Sequence, residues 1–256
     1  GIATQSYLPT RCRRETSDID LCLVKPLSYH TFKDMVSLLV GFLQDKGYSV
    51  DTRKGSRAFS LYFVSPDNRS LVIEAPKRNE QNIAKHRKRL EREFENSRTK
   101  IIEGREESYR VTAPEDIAVP KLVRVMNTLV RSPYLGGSLP VELEPLSDDD
   151  IDRKLFKISE LRAEAMHNPG DISLAEKVRF VSDLYDIRIL SELTGFNESY
   201  WREAEKDWYS ICNEPKIRNR VLRVTLPTFK EIPVSEIQEG YTSKGNGPVF
   251  PISVLI

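Results

Sequence analysis

Apolar and polar residues alternate with a helical period in some parts of the chain and with a strand period in others. Residues 31–46 have apolar positions at helical spacing, which predicts an amphipathic helix that ends at Gly47. Alternation of apolar and polar positions predicts three strands, at residues 48–52, 58–64 and 70–75. Pro66-Asp67-Asn68 predicts the hairpin turn between the last two strands, and an earlier strand is predicted around Asp18.

The helical period dominates the later part of the chain. Helices are predicted at residues 150–166, 174–193, 199–212 and 216–223. Thr112 and Glu115 form a predicted capping box with Pro114 in the first turn, so a further helix is expected to begin there. The proline- and glycine-containing stretch 133–145 predicts a linker, and residues 224–256 predict strands or an extended segment.

Asp18 and Asp20 alternate with apolar residues in the first predicted strand, so their side chains point the same way. Burying two like charges side by side is costly unless a cation lies between them. Carboxylate oxygens favour Mg²⁺ or Mn²⁺ over zinc. Because Ile19, Leu21 and Leu23 occupy the opposite face, the same pattern also allows a solvent-exposed strand face without metal.

The residues around these aspartates resemble a known motif. Gly1, followed by Arg14-x-Thr16-x-Asp18-Ile19-Asp20, is similar to the first motif of the DNA polymerase beta-type nucleotidyltransferases. The similarity is greatest to the AbiEii branch, the toxins of bacterial and archaeal toxin–antitoxin pairs. This resemblance implies that Asp18 and Asp20 carry Mg²⁺ or Mn²⁺ and that Gly1 and Thr16 contact the nucleotide. The resemblance also implies that Arg14 either contacts a nucleotide phosphate or has a structural role.

Two later segments agree with the resemblance. Lys121 lies on the helix that is similar to the family helix delivering a lysine to the nucleotide phosphates, and Asp183-Leu184-Tyr185-Asp186 resembles the family's closing Asp-x-Tyr-Asp signature. The resemblance implies that Asp183 orients or activates the acceptor, and that Glu74, near a strand end, is a third metal ligand. Without the resemblance, Lys121 is more simply a surface charge and Asp183 a solvated partner of Arg179.

Basic residues concentrate on a helix predicted at residues 82–96. Candidate contacts to the phosphates of an RNA are Lys85, Arg87, Lys88, Arg89 and Arg92. Glu91, Glu93 and Glu95 allow a simpler interpretation, a solvated helix with internal ion pairs. No aromatic ladder is interleaved with the cations, so the sequence does not predict base stacking on this helix.

Composition narrows the class of protein. A chain of 256 residues with 39% hydrophobic and 30% charged residues is typical of a globular protein with a sizeable core, and its net charge of +1 indicates no particular partner. No apolar run approaches the ~20 residues of a membrane span, so we expect no membrane partner. Cys12, Cys22 and Cys212 lack metal-ligand spacing, so we expect reduced thiols in a cytoplasmic protein.

Together these observations predict an α+β fold. A polymerase beta-like nucleotidyltransferase core with a mixed β-sheet is expected at residues 1–133, and an α-helical region with an extended tail at 134–256. The resemblance implies transfer of a nucleotide from a nucleoside triphosphate to an acceptor, with tRNA favoured, and a cognate antitoxin as partner. The alternatives are a non-catalytic RNA- or protein-binding module of the same fold and a transferase that modifies a protein. Since that family has a strand and a helix before the glycine turn, we expect the chain to be a fragment.

Overall fold

The computed structural model describes residues 2–16, 18–21, 25–77, 79–101, 108–131 and 146–209. These residues form two compact units. The first takes in residues 2–6 and 15–113, and the second takes in residues 7–14 and those from Pro114 onward. Gly1, the predicted linker at 133–145, the predicted helix at 216–223 and the tail at 224–256 lie outside the described residues.

The first unit is built on a mixed four-stranded sheet with the order β1-β4-β3-β2. Its strands are β1 (Asp18–Asp20), β2 (Ser49–Lys54), β3 (Ala58–Val64) and β4 (Ser70–Pro76). Strand β1 runs parallel to β4, and the other pairs are antiparallel. All four strands lie where alternation predicts them. The turn between β3 and β4 places Asn68 at a φ of 64°, a left-handed conformation that asparagine tolerates well.

Helix α2 (Tyr29–Asp45) covers one face of this sheet. Its N-terminus is capped by Ser28, whose side chain accepts a hydrogen bond from the backbone of Thr31 at 3.0 Å. The helix and the sheet bury a common apolar core, formed by Phe32, Val36, Phe59, Leu61, Ile73 and Ala75. Because side chains alternate along a strand, the opposite face of the sheet carries the polar residues of β1, β3 and β4.

The remainder of the first unit consists of one helix of 16 residues and three elements of four residues each. They are α1 (Ile2–Gln5), α3 (Glu80–Glu95), β5 (Arg98–Ile101) and β6 (Ser108–Val111). Strands β5 and β6 pair as a two-stranded antiparallel ribbon. The helix α3 is the predicted basic helix, whereas α1 and the ribbon are not predicted. Segments of four residues are too short to show a period, and the ribbon strands are rich in charged residues.

The second unit is helical. A single 3-10 turn at Thr10–Cys12 precedes α4 (Pro114–Arg131), α5 (Asp148–His167), α6 (Ile172–Thr194) and α7 (Glu198–Tyr209). Ser147 and Asp150 form a reciprocal capping box at the start of α5. Helix α4 packs on α6 and α7, so it belongs to this unit. The sequence-based boundary at residue 133 therefore differs from the observed division, which falls between Ala113 and Pro114.

Helix α6 forms the centre of the second unit. Every residue from 180 to 187 is buried, because α4 and α5 both pack against this helix. The buried run includes three polar residues, Ser182, Asp183 and Asp186. Buried polar groups need partners, which α6 obtains from α4 and from the segment before β1. Among the helices of the described residues, none combines the length and apolar character that crossing a bilayer requires.

Candidate functional site

Three carboxylates lie on the face of the first unit's sheet that α2 does not cover. In the parallel pairing of β1 with β4, Asp20 lies opposite Glu74 and Asp18 opposite Val72. Residues paired across neighbouring strands point to the same face, so Asp18, Asp20 and Glu74 share it. Ile19 points the other way and packs against the apolar core. The predicted common orientation of Asp18 and Asp20 follows directly from this alternation.

Both aspartates are exposed, whereas Glu74 is half-buried. The hydroxyl of Thr16 donates a hydrogen bond to Asp18 Oδ1 at 2.8 Å, and that of Ser60 donates to Glu74 Oε1 at 3.2 Å. Because these side chains reach water, the cost of burying two like charges does not by itself call for a cation here, and the Mg²⁺ or Mn²⁺ site stays a prediction. The strand face is wet, as the alternative interpretation of the sequence proposes.

The donor set of this face nevertheless fits a hard cation. Within the described parts of the chain, no three His, Cys, Asp or Glu side chains are grouped so that they could hold a metal ion. Glu74 is thus beside Asp20 in register without completing a three-carboxylate site, and its ligand role stays a prediction. Magnesium commonly binds through one or two carboxylates together with water and substrate phosphates, so Asp18 and Asp20 are sufficient donors in number and kind.

The same face carries a cation that the sequence did not single out. Strand register aligns Arg53 with Ser60, Ser60 with Glu74, and Glu74 with Asp20, in one row across the sheet. Arg53 donates to Asp51 at 2.6 Å, and its guanidinium lies 4.4 Å from the ring centroid of Tyr62. Its place in one row with Asp20 depends on the pairing of β1 with β4, which lie far apart in sequence and which no local pattern brings together.

A second group of charges is buried in the helical unit. Lys121 Nζ donates to Asp183 Oδ1 at 2.9 Å and to Asp186 Oδ2 at 2.8 Å. The lysine side chain is only 6% exposed. The interpretation of Lys121 as a surface charge is therefore wrong. The structure brings Lys121 and Asp183 into direct contact, across 62 residues of sequence.

Two arginines complete this buried charge cluster. Arg14 binds Asp186 through two hydrogen bonds, of 2.8 Å and 2.6 Å, and Arg124 binds Asp183 through two, of 2.8 Å and 2.9 Å. The side chain of Arg14 is 9% exposed and that of Arg124 is 47% exposed. Arg14 is thus a structural partner of α6, and its guanidinium fork is engaged by a carboxylate. Asp183 is buried and pairs with Lys121 and Arg124 of α4, so it is not the solvated partner of Arg179.

The neighbouring cations act on the pKa of one carboxylate of the cluster, that of Asp186. Burial alone would raise the pKa of Asp186, but the hydrogen bonds and charges of Arg14 and Lys121 outweigh burial and lower that pKa below its ordinary value. Nearby, Tyr185 donates a hydrogen bond to the backbone oxygen of Cys12 at 2.8 Å, and burial raises the pKa of this tyrosine. These contacts fasten the segment 7–14 to α6.

The five candidate RNA contacts on α3 do not share one environment. Lys85, Arg87 and Lys88 are exposed, whereas Arg89 and Arg92 are half-buried. Arg89 donates to Glu93 at 2.7 Å, and both side chains are largely buried, at 12% and 8% exposure. The internal ion pairing that the glutamates indicated is therefore present for Arg89. Three of the five cations remain accessible for phosphate contacts.

Comparison of the chain with protein-family models, with curated proteins and with solved structures finds no match in any of the three.

Proposed function

We propose that this protein is a metal-dependent nucleotidyltransferase of the cytoplasm, acting as the toxin of a toxin–antitoxin pair. It would transfer a nucleotide from a nucleoside triphosphate to an RNA, with tRNA as the favoured acceptor. The observation that carries the proposal is the exposed strand face on which Asp18 and Asp20 point the same way, with Glu74 in register beside Asp20. The choice of tRNA and of an antitoxin partner comes from the family resemblance of the motif.

The chemistry is a substitution at the α-phosphorus. An acceptor hydroxyl gives up its proton to water and its oxygen forms a bond to that phosphorus. The bond from the α-phosphorus to the oxygen that bridges it to the β-phosphate breaks, and pyrophosphate leaves with the electron pair of that bond. Asp18 and Asp20 would hold Mg²⁺ or Mn²⁺, which when bound neutralises charge on the phosphate oxygens. Thr16, through its hydrogen bond to Asp18, fixes the orientation of one carboxylate.

The family resemblance assigns Lys121 to the phosphates and Asp183 to the acceptor. Within the helical unit these two groups bind each other and are nearly excluded from water. We therefore propose that Lys121 is a positioning residue that holds Asp183 and Asp186 in place. Arg124 is the cation of this cluster with substantial exposure, at 47% of its side chain.

A non-catalytic RNA-binding module is the second candidate. One observation favours it: buried carboxylates already engage Lys121, the residue that the resemblance assigns to the nucleotide phosphates. A module of this kind would keep the cations of α3 for RNA and would leave a nucleoside triphosphate unreacted. The two candidates therefore differ in whether covalent label reaches RNA.

The test is a transfer assay with α-labelled nucleoside triphosphates, Mg²⁺ and total tRNA. Asp20→Asn removes one carboxylate charge at constant shape, and Asp45→Asn is the matched control, because Asp45 is also exposed in the first unit but lies at the end of α2, the helix that covers the other face of the sheet. We expect Mg²⁺-dependent label on RNA from the wild type and from Asp45→Asn, reduced at least 100-fold in Asp20→Asn.

Other outcomes point elsewhere. RNA that is retained without label, equally by the wild type and Asp20→Asn, would establish the binding module. Label that migrates with polypeptide would identify a transferase that modifies a protein. Label on RNA that Asp20→Asn leaves unchanged would refute the assignment of the strand face as the metal site.

A further inference from the structure

An arginine and a phenylalanine are stacked on the surface of the first unit, where α3 ends against β6. The guanidinium of Arg110 lies 4.1 Å from the ring centroid of Phe94. Its Nε donates to Ser97 Oγ, and its Nη2 donates to the backbone oxygen of Phe94, both at 2.7 Å. Three contacts thus fix the plane of the guanidinium, although Arg110 is an exposed residue.

A structural role accounts for only part of this arrangement. The backbone oxygen of Phe94 belongs to the last turn of α3, where Arg110 donates to it together with the backbone N–H of Ser97 at 3.3 Å and the hydroxyl of Ser97 at 2.6 Å. These hydrogen bonds do not require an aromatic side chain at residue 94. The ring of Phe94 is nevertheless 48% exposed, which leaves much of a large apolar surface in water.

A guanidinium that is fixed beside an exposed aromatic ring offers flat surfaces on which an unpaired nucleobase can stack. Bases of single-stranded RNA stack on aromatic rings and on arginine planes, whereas the bases of a duplex are stacked on each other and have no free face. Because every base has a π-face, such a platform recognises an unpaired nucleotide without selecting its sequence.

Cations for the neighbouring phosphates lie on the same helix. Arg87 is seven residues before Phe94, hence on the same side of α3 and about 10 Å away along the helix axis. Arg87 and Lys88 are both exposed. Glu91 is exposed between Arg87 and Phe94, at helical spacing from both, and its charge opposes a phosphate at that point.

We propose that Arg110 and Phe94 form a stacking platform for an unpaired base of the RNA acceptor, with Arg87 and Lys88 contacting the adjoining phosphates. This inference rests on the proposed RNA acceptor and adds to it that the acceptor is bound at a single-stranded segment. It also differs from the sequence-based expectation, which found no base stacking on α3, because the stacking partner of Phe94 comes from β6.

The test measures binding without nucleoside triphosphate or metal, using a short unstructured RNA that contains one 2-aminopurine, whose fluorescence falls when it stacks. Phe94→Leu removes the ring, and Arg110→Lys keeps the charge but loses the plane. Tyr109→Leu is the matched control, because Tyr109 is an aromatic residue of the same strand with similar exposure, 44%, and points to the opposite face of the ribbon.

We expect quenching by the wild type, and a dissociation constant raised about 5- to 100-fold in Phe94→Leu and in Arg110→Lys, with quenching lost. Tyr109→Leu should stay within about twofold of the wild type, and Glu91→Gln should tighten binding at low salt, because it removes a charge that repels phosphate. A thermal melt of each variant establishes folding, and if Phe94→Leu fails to fold, Arg110→Lys decides.

Equal binding of single-stranded and duplex RNA by the wild type would overturn the platform. So would unchanged quenching in both Phe94→Leu and Arg110→Lys. Failure of the proposed transferase activity is separately visible: RNA that binds and quenches 2-aminopurine but is never labelled would leave the platform standing and refute the enzyme. Label that appears on RNA without any quenching would support the enzyme and refute the platform.

Discussion

Replacing Lys121 with methionine is the most direct test of the buried charge cluster. The lysine is 6% exposed, and its Nζ donates hydrogen bonds to two carboxylates of α6. Methionine keeps most of the length of the aliphatic stem and removes the charge. The substitution therefore isolates the contribution of the ammonium group from that of packing.

The expected loss of stability follows from the partners that remain. A hydrogen bond to a charged group contributes about 1.5–3 kcal/mol, and removing one partner of a buried ion pair costs about 3–5 kcal/mol. After the substitution Asp183 keeps Arg124 and Asp186 keeps Arg14, so each carboxylate still has a cation. We therefore expect the lower end of the range, about 3 kcal/mol.

Tryptophan fluorescence during urea unfolding measures this loss in the helical unit. Both tryptophans of the chain, Trp201 and Trp208, belong to the second unit, and Trp201 is 1% exposed. A loss of about 3 kcal/mol lowers the urea midpoint by roughly 1–3 M, because the denaturant slope of such a unit is about 1–3 kcal/mol per molar.

Lys157→Met is the matched control. Lys157 lies on α5 in the same unit, and its ion pair with Glu160 at 3.4 Å is solvent-exposed. Exposed pairs contribute about 0–1 kcal/mol, so the midpoint should barely move. If Lys121→Met costs less than about 1 kcal/mol, or no more than Lys157→Met, the cluster does not stabilise the unit as argued.

Three further predictions concern single residues of the helical unit. Burial raises the pKa of Glu205 from 4.5 to about 7, so the stability that its protonated form contributes is complete below pH 4.5 and is lost as the pH rises through 7. Glu205→Gln should therefore raise the free energy of unfolding by up to about 3 kcal/mol at pH 8 and by little at pH 4.5. Chemical denaturation that shows the same difference at both pH values would contradict this. Arg14→Lys keeps the charge but loses the two-point contact with Asp186, and should cost about 1–3 kcal/mol by the fluorescence assay; an unchanged midpoint would show that the fork geometry is unimportant. Gly195 ends α6 at a φ of 57°, a conformation that strains alanine, so Gly195→Ala should lower stability by about 1 kcal/mol in a thermal melt. A stabilised variant would show that backbone strain does not decide the effect of this substitution.

The stability of Lys121→Met also determines how its activity is interpreted. A loss of transfer in a variant that is partly unfolded says nothing about a phosphate contact. Activity is therefore best compared under conditions where the fluorescence signal shows the variant to be folded. A folded Lys121→Met with full transfer would exclude both a phosphate contact and the proposed positioning role, whereas a folded and inactive variant would show that transfer needs the lysine in one of these two roles.

The sequence by itself determined those elements that repeat a period over many residues. The strands β2, β3 and β4 and the helices α2 to α7 lie close to their predicted positions, and the short strand β1 lies at the predicted alternation around Asp18. It also determined that Asp18 and Asp20 share a face, because alternation is a property of the strand backbone. The exposure of that face was left open, since periodicity shows which side chains lie together but not which face is covered.

Only the tertiary structure decided which charges meet. The contact of Lys121 with Asp183 spans 62 residues, and that of Arg14 with Asp186 spans 172. Such pairs form because α6 is enclosed by its neighbours, and buried carboxylates there require cations from whatever segments pack against them. The stack of Arg110 on Phe94 likewise depends on a ribbon whose strands are too short to show a period.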